Sequence, residues 1–227
     1  MREAWEFLVK GGPVMIPIIL GSITALAILL ERLWTLRRAS VIPQGLIDRV
    51  VDLVRRERYR DALALCDQSS APVGRVLRTC LRYRTLPRAD LKAAVEDSGR
   101  RAVQEMSRLI EALSAIAAIS PLLGLLGTVT GMIRAFQQVV AASAHGAVDP
   151  SQLASGIWEA LITTAAGLCV AIPTYVAHRY LKGRAASLAR EMERVALMVM
   201  DELHGVAAPT SADEGADDVT AEGAGSR

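Results

Sequence analysis

Apolar residues in this chain are gathered into three blocks, 14–30, 112–133 and 153–180, and most of the charges lie between the blocks. A helix rises 1.5 Å per residue, so about 20 consecutive apolar residues cross a hydrocarbon core of about 30 Å. The first block is just long enough, and the other two have residues to spare. A soluble chain of 227 residues, 52% of them hydrophobic, would spread those residues over amphipathic elements around a shared core. Concentration into blocks is a membrane-protein distribution, and the mean hydropathy of +0.29 agrees with it. Lipid offers no hydrogen bonds to a backbone, so each block is expected to be a helix. The predicted fold is an all-α membrane protein with three transmembrane helices and long cytoplasmic helical extensions.

The segments between the blocks set the organisation. An amphipathic interfacial helix is expected over 1–12, where Trp5 and Phe7 lie among Arg2, Glu3, Glu6 and Lys10 before Gly11-Gly12-Pro13 stops it. Transmembrane helix 1 follows over 13–31. Ala25-Leu26-Ala27 has the look of a signal-peptidase site, but the preceding region is not cleanly basic and the apolar run continues to Leu30, so a retained anchor is the preferred reading. A cytoplasmic helical domain takes 32–108, with two or three soluble helices. Pro72 and Pro87 each suit the start of a new helix, and a helix from Asp90 should run unbroken into the second block. Transmembrane helix 2 spans 109–140, a periplasmic linker 141–152 and transmembrane helix 3 153–181. A cytoplasmic C-terminal helix (182–204) then leads to a disordered tail over 205–227, rich in Ala, Gly, Ser, Asp and Glu. Lys and Arg crowd the exit of the first span, the approach to the second and the exit of the third, while the short linker has none. The positive-inside rule therefore predicts N-out/C-in.

The third block carries the one carboxylate inside a span, Glu159, in Gly156-Ile-Trp-Glu-Ala-Leu-Ile-Thr-Thr-Ala-Ala-Gly-Leu-Cys-Val-Ala-Ile-Pro173. An ionisable group in an apolar span is unfavourable and marks a functional site by default. At about 100° per residue, Ser120, Gly124, Gly127, Thr128, Gly131 and Ala135 share about a quarter-turn of the second span. On the third span Gly156, Ala160, Thr163, Thr164, Gly167, Ala171 and Thr174 do the same, with Glu159 at the edge. Such stripes let helices pack closely, and Gly127-x-x-x-Gly131 is a known packing pattern. Hydroxyls beside a carboxylate can equally line a hydrated proton path. Periodicity leaves a pore and a polar packing seam both open.

Several functions are excluded by what the chain lacks. Cys66, Cys80 and Cys169 have no CxxC spacing and no nearby histidine cluster, so neither a disulfide framework nor a metal site is expected, and no cofactor motif appears. Basic residues alternate with acids, as on a solvated helix face, and no nucleic-acid reading motif is present. There is no GxSxG and no pair of intramembrane aspartates, and His145 and His178 lie at span ends, so an enzyme is not expected.

Ser120-Pro-Leu-Leu-Gly-Leu-Leu-Gly-Thr-Val-Thr-Gly-Met132, followed by Ala135-Phe136, together with the Gly156 to Pro173 stretch, resembles the two signature spans of the MotA/TolQ/ExbB proton-channel family. Gly-Gly-Pro-Val-Met-Ile-Pro near the N-terminus and the Glu31-Arg32 exit are similar to ExbB-type members. The resemblance runs from about residue 10 to 200 and is most specific in the two motif spans; three spans match ExbB and TolQ rather than four-span MotA. It implies a homopentamer in the bacterial inner membrane around a dimer of an ExbD-like single-span protein whose transmembrane Asp carries the proton. A TonB-like protein is the implied client, with a Tol–Pal or gliding or secretion motor as the alternative. A non-conducting membrane scaffold is the reading from another class. Under the resemblance Thr128 and Thr164 fall on the family's pore threonines and Glu159 on its third-span glutamate, with Thr163 beside them. Pro121 and Pro173 fall on prolines that shape the spans, and Gly124, Gly127, Gly131, Gly156 and Gly167 serve packing or pore shape.

Overall fold

The structure is a computed structural model that describes residues 12–143 and 150–206, side chains at 142–153 and 206 excepted. Among the described residues there are seven helices and no strand: α1 (Met15–Thr35), α2 (Arg38–Val41), α3 (Gln44–Arg55), α4 (Tyr59–Gln68), α5 (Pro72–Arg82), α6 (Arg88–Ser143) and α7 (Pro150–Val206). The interfacial helix expected for 1–12 lies outside the described residues except at Gly12. The same holds for 144–149 of the linker and for 207–227 of the tail.

Three helices, α1, α6 and α7, are long and apolar enough to cross a membrane. α6 and α7 have 56 and 57 residues, about 85 Å each at 1.5 Å per residue, well over twice the hydrocarbon thickness. Each is therefore a span and its extension in one rod, as the absence of a proline between 90 and 106 predicts. Pro121 and Pro173 lie inside these helices without ending them. A proline there removes one backbone donor, which a membrane helix tolerates when neighbouring groups take up the freed carbonyl.

The polar part between the first two spans folds as α3, α4 and α5, with a single turn, α2, before them. Pro72 stands in the first turn of α5, and Pro87 immediately precedes α6. The α3–α4 corner closes with Glu57 in the left-handed region at φ 59°. Its N–H bonds Val54 O at 2.9 Å and the Arg58 N–H reaches Leu53 O at 2.9 Å, a Schellman closure made without glycine. Val50, Val54, Ala62, Cys66, Val76, Leu77 and Cys80 form a buried core against Leu91 and Val95 of α6 and Met192, Val199 and Leu203 of α7. Burial pushes the Cys66 thiol up to about 11 and the Cys80 thiol up to about 12. Arg38–Glu191 and Arg55–Glu202 at 2.6 Å tie this domain to α7, and Arg88–Asp201 at 2.6 Å joins the start of α6 to α7. The short helices are thus docked on the protruding halves of the two long rods.

Candidate functional site

The two spans rich in small residues face each other as an antiparallel hairpin, and their stripes form the contact. A Cβ added at Gly167 would lie 2.6 Å from Ser120 O, one at Gly124 3.0 Å from Thr164 Cα, one at Gly131 3.2 Å from Ala160 Cβ, and one at Gly156 2.5 Å from Ala135 Cβ. At Gly127 it would overlap the Thr163 side chain, which is fully buried. Only glycine permits backbones this close, and in lipid such packing supplies much of the association between helices. The stripes read from periodicity are therefore brought together within one chain as a seam.

The polar groups divide between the two edges of that seam. Thr164 donates its hydroxyl across it to Gly124 O at 3.0 Å. Thr128 donates to Leu125 O at 2.7 Å in its own helix and lines a groove of about 690 Å³ with Val129, Met132, Ile133, Phe136 and Gln137. At the other edge Arg134 Nη1 meets Glu159 Oε1 at 2.7 Å, with the side chains 42% and 25% exposed. Helical phase agrees: Thr128 and Thr164 lie about 60–70° to one side of the seam's centre, and Arg134 and Glu159 about 60–70° to the other. α1 packs along the Glu159 edge, where a Cβ at Gly21 would sit 3.6 Å from Ile116. Gly12, at φ 68°, brings the entry of α1 so close that a Cβ there would overlap Glu159 Oε1. Thr163 Oγ1 donates to Glu159 O at 2.7 Å. Pro173 is exposed and Pro121 partly so, both outside the tight contact.

Arg134 and Gly12 are the residues the sequence reading missed. A carboxylate inside a span calls for a partner, and Arg134, a base in the facing span, was the available signal. Nothing marked Gly12 beyond its place in Gly-Gly-Pro. His178 is buried, with neither ring nitrogen hydrogen-bonded and the Tyr175 ring 6.5 Å away. Among the described residues no group of His, Cys, Asp and Glu could hold a metal ion.

Comparison with known proteins places these features in context. Residues 68–194, more than half of the chain and the whole of the α6/α7 seam, match the sequence profile of the MotA/TolQ/ExbB proton channel family. The chain is 37% identical over 176 residues to the biopolymer transport protein ExbB-like 1 of Synechocystis sp., covering 78% of this chain and 69% of that one. It is 35% identical over 91 residues to the Tol-Pal system protein TolQ of Haemophilus influenzae, covering 40% of this chain and 39% of the relative. Over 85 residues it is 36% identical to the biopolymer transport protein ExbB of Neisseria gonorrhoeae, 37% of each chain.

Proposed function

Because this chain belongs to the MotA/TolQ/ExbB proton channel family, and is a multi-pass membrane protein of its energy-transducing kind, we propose that it is the proton-channel subunit of an ExbB–ExbD-like inner-membrane complex. In that complex it couples the proton motive force to mechanical work on a TonB-type partner for outer-membrane uptake. Five copies, each N-out/C-in, surround a dimer of a single-span partner whose transmembrane Asp carries the proton, since none of the three spans here holds an Asp. The observation that carries the reading is the seam: the one carboxylate within the three apolar blocks and the family's threonine positions are built into one close-packed helix pair. Thr128 and Thr164 flank the path, and Glu159 and Thr163 act on it from within the pair. Leu122, Leu125, Val129 and Phe136 of α6, exposed on the single chain, suit contact with neighbouring copies and lipid.

Two further readings have their own support. The match to a TolQ protein favours a Tol–Pal-type client. Burial of Thr163 against Gly127 favours a scaffold whose stripes only pack. Replacing Glu159 or Thr164 with Ala, in a host lacking the native copy, is expected to abolish gradient-driven function while assembly persists. Wild-type behaviour of both variants refutes the assigned roles. A silent Glu159→Gln, with no Asp-bearing single-span protein co-purifying, selects the scaffold instead.

A further inference from the structure

Arg134 and Glu159 are 25 residues apart in sequence, on facing helices, and their ion pair lies beside a close approach of those helices. Gly131 opposes Ala160 and Gly156 opposes Ala135 at the same level. Either charge alone in a span is unfavourable, and a hydrogen-bonded partner removes most of that penalty. A third segment joins them. The backbone at Gly12 lies against the Glu159 carboxylate and 3.3 Å, measured from a built Cβ, from Arg134 Nη1. Its φ of 68° favours glycine, and the Glu159 carboxylate occupies the space a Cβ would take. The backbone then turns directly into α1, with the Met15 N–H bonded to Gly12 O at 3.1 Å and Met15 buried. Three stretches of chain therefore meet at one carboxylate, on the edge of the seam away from Thr128 and Thr164.

We propose that Arg134 is the positioning residue for Glu159 and that Gly12 covers their ion pair, so that the carboxylate serves as one half of a clasp joining the entry of α1 to α6 and α7 rather than as a free proton carrier. The clasp sets the register of the hairpin at one end and so fixes where Thr164 and Thr128 stand at the opposite edge. Arg134 does this only through Glu159. As an account of how the path is shaped, the inference rests on the proposed channel function; as an account of what holds three segments together, it does not.

The test is a double-mutant cycle on the full-length protein purified in detergent, read as the unfolding equilibrium and, in the host, as gradient-driven function. Arg134→Gln and Glu159→Gln each leave one unpaired charge, and each is expected to shift the equilibrium toward unfolding by tenfold or more. The double neutral variant should recover most of that loss, because neither charge is then stranded. That variant also keeps the test open if a single variant fails to fold. The exchanged pair R134E/E159R is expected to restore stability, and Arg134→Lys to retain function where Arg134→Gln loses it, which a merely space-filling arginine would not do. Gly12→Ala should destabilise the wild type more than it destabilises a chain whose Arg134 and Glu159 are both Ala. Additive single and double variants, with no rescue by exchange, overturn the clasp. An equal effect of Gly12→Ala in both backgrounds overturns the role of Gly12. If the cycle is coupled but Glu159→Gln leaves gradient-driven function intact, the clasp stands and the channel assignment of Glu159 falls.

Discussion

Gly167→Ala is the sharpest single perturbation of the seam, because helix propensity and packing make opposite predictions for it. In an unconstrained helix the change favours folding by about 0.8–1.0 kcal/mol. Gly99, also inside a long helix but with nothing within 4 Å of a built Cβ, should show that gain. At Gly167 the new methyl would stand 2.6 Å from Ser120 O and 3.2 Å from Gly124 Cα. Both are backbone atoms that no rotamer change can move. Ordinary contact begins at 3.4 Å, so the helices must part by at least about 0.8 Å at this level. Overpacking of this kind costs about 1–3 kcal/mol, and a radial gap of 0.5–1 Å forfeits a quarter to a half of the dispersion energy of the neighbouring contacts. The Thr164–Gly124 hydrogen bond, 3.0 Å in the native seam, would open as well. After the propensity gain is deducted, overpacking alone leaves a net loss of up to about 2 kcal/mol, to which the opened contacts and hydrogen bond add, against a gain of about 1 kcal/mol for Gly99→Ala. The measurement is unfolding of the purified protein in mixed micelles, followed by circular dichroism. If Gly167→Ala proves as stable as Gly99→Ala, the seam is not packed backbone to backbone and the reasoning fails.

The polar domain offers three independent checks. Glu57→Gly removes the strain of a left-handed non-glycine residue while adding unfolded-state freedom, and is expected to stabilise by about 0.5–1 kcal/mol in a thermal-unfolding comparison. The hydrogen bond from Arg55, and then its charge, hold the Glu202 carboxyl below its ordinary 4.5. A carboxyl depressed on folding contributes stability that is complete above its ordinary value and lost as pH falls through the depressed one. The stability difference between wild type and Arg55→Gln should therefore be constant near neutrality and vanish as pH drops below 4.5; a difference that persists in acid would break the link. Cys66 and Cys80, with thiols pushed to about 11 and about 12 by burial, should resist maleimide at pH 8 in the folded protein and react once denatured. Labelling of either under native conditions would contradict the buried core.

The architecture was legible wherever a physical signal is local. Block length gave the three spans, and charge-rich helical periodicity without breaks gave the continuation of α6 and α7 beyond them. The prolines at 72 and 87 marked two starts. The α3–α4 corner was not legible, because the left-handed position that normally advertises itself as glycine is occupied by Glu57. The small stripes on the second and third spans could be read from spacing, but spacing along one helix cannot say what that face meets. Only the facing helix shows that the stripes pack on each other. The same limit hid the partner of Glu159. Its phase placed it at the stripe's edge, yet which edge faces α1 depends on a third helix, and Gly12 owes its position to the close of the α1 entry on residues almost 150 positions away.

The seam and its two edges have a mechanical consequence. Backbone-to-backbone packing leaves no side-chain layer to absorb a displacement, so α6 and α7 can slide or tilt only as a pair, or by separating. A shift at Arg134–Glu159 on one edge must therefore reach Thr164–Gly124 on the other, within the same few turns of helix. Each rod then continues without a break alongside the polar domain, where Arg38 and Arg55 are paired with Glu191 and Glu202 of α7, and Arg88 of α6 with Asp201. A rigid-body tilt too small to disturb the seam is thus carried along the full rod to a domain anchored by two of these ion pairs and a shared apolar core. Proton occupancy, in the proposed function, changes on the partner's Asp rather than in this chain. Under that proposal this chain would supply stiffness: a glycine seam that transmits, a clasp that sets the resting register, and long helices that deliver the motion where it can act on another protein.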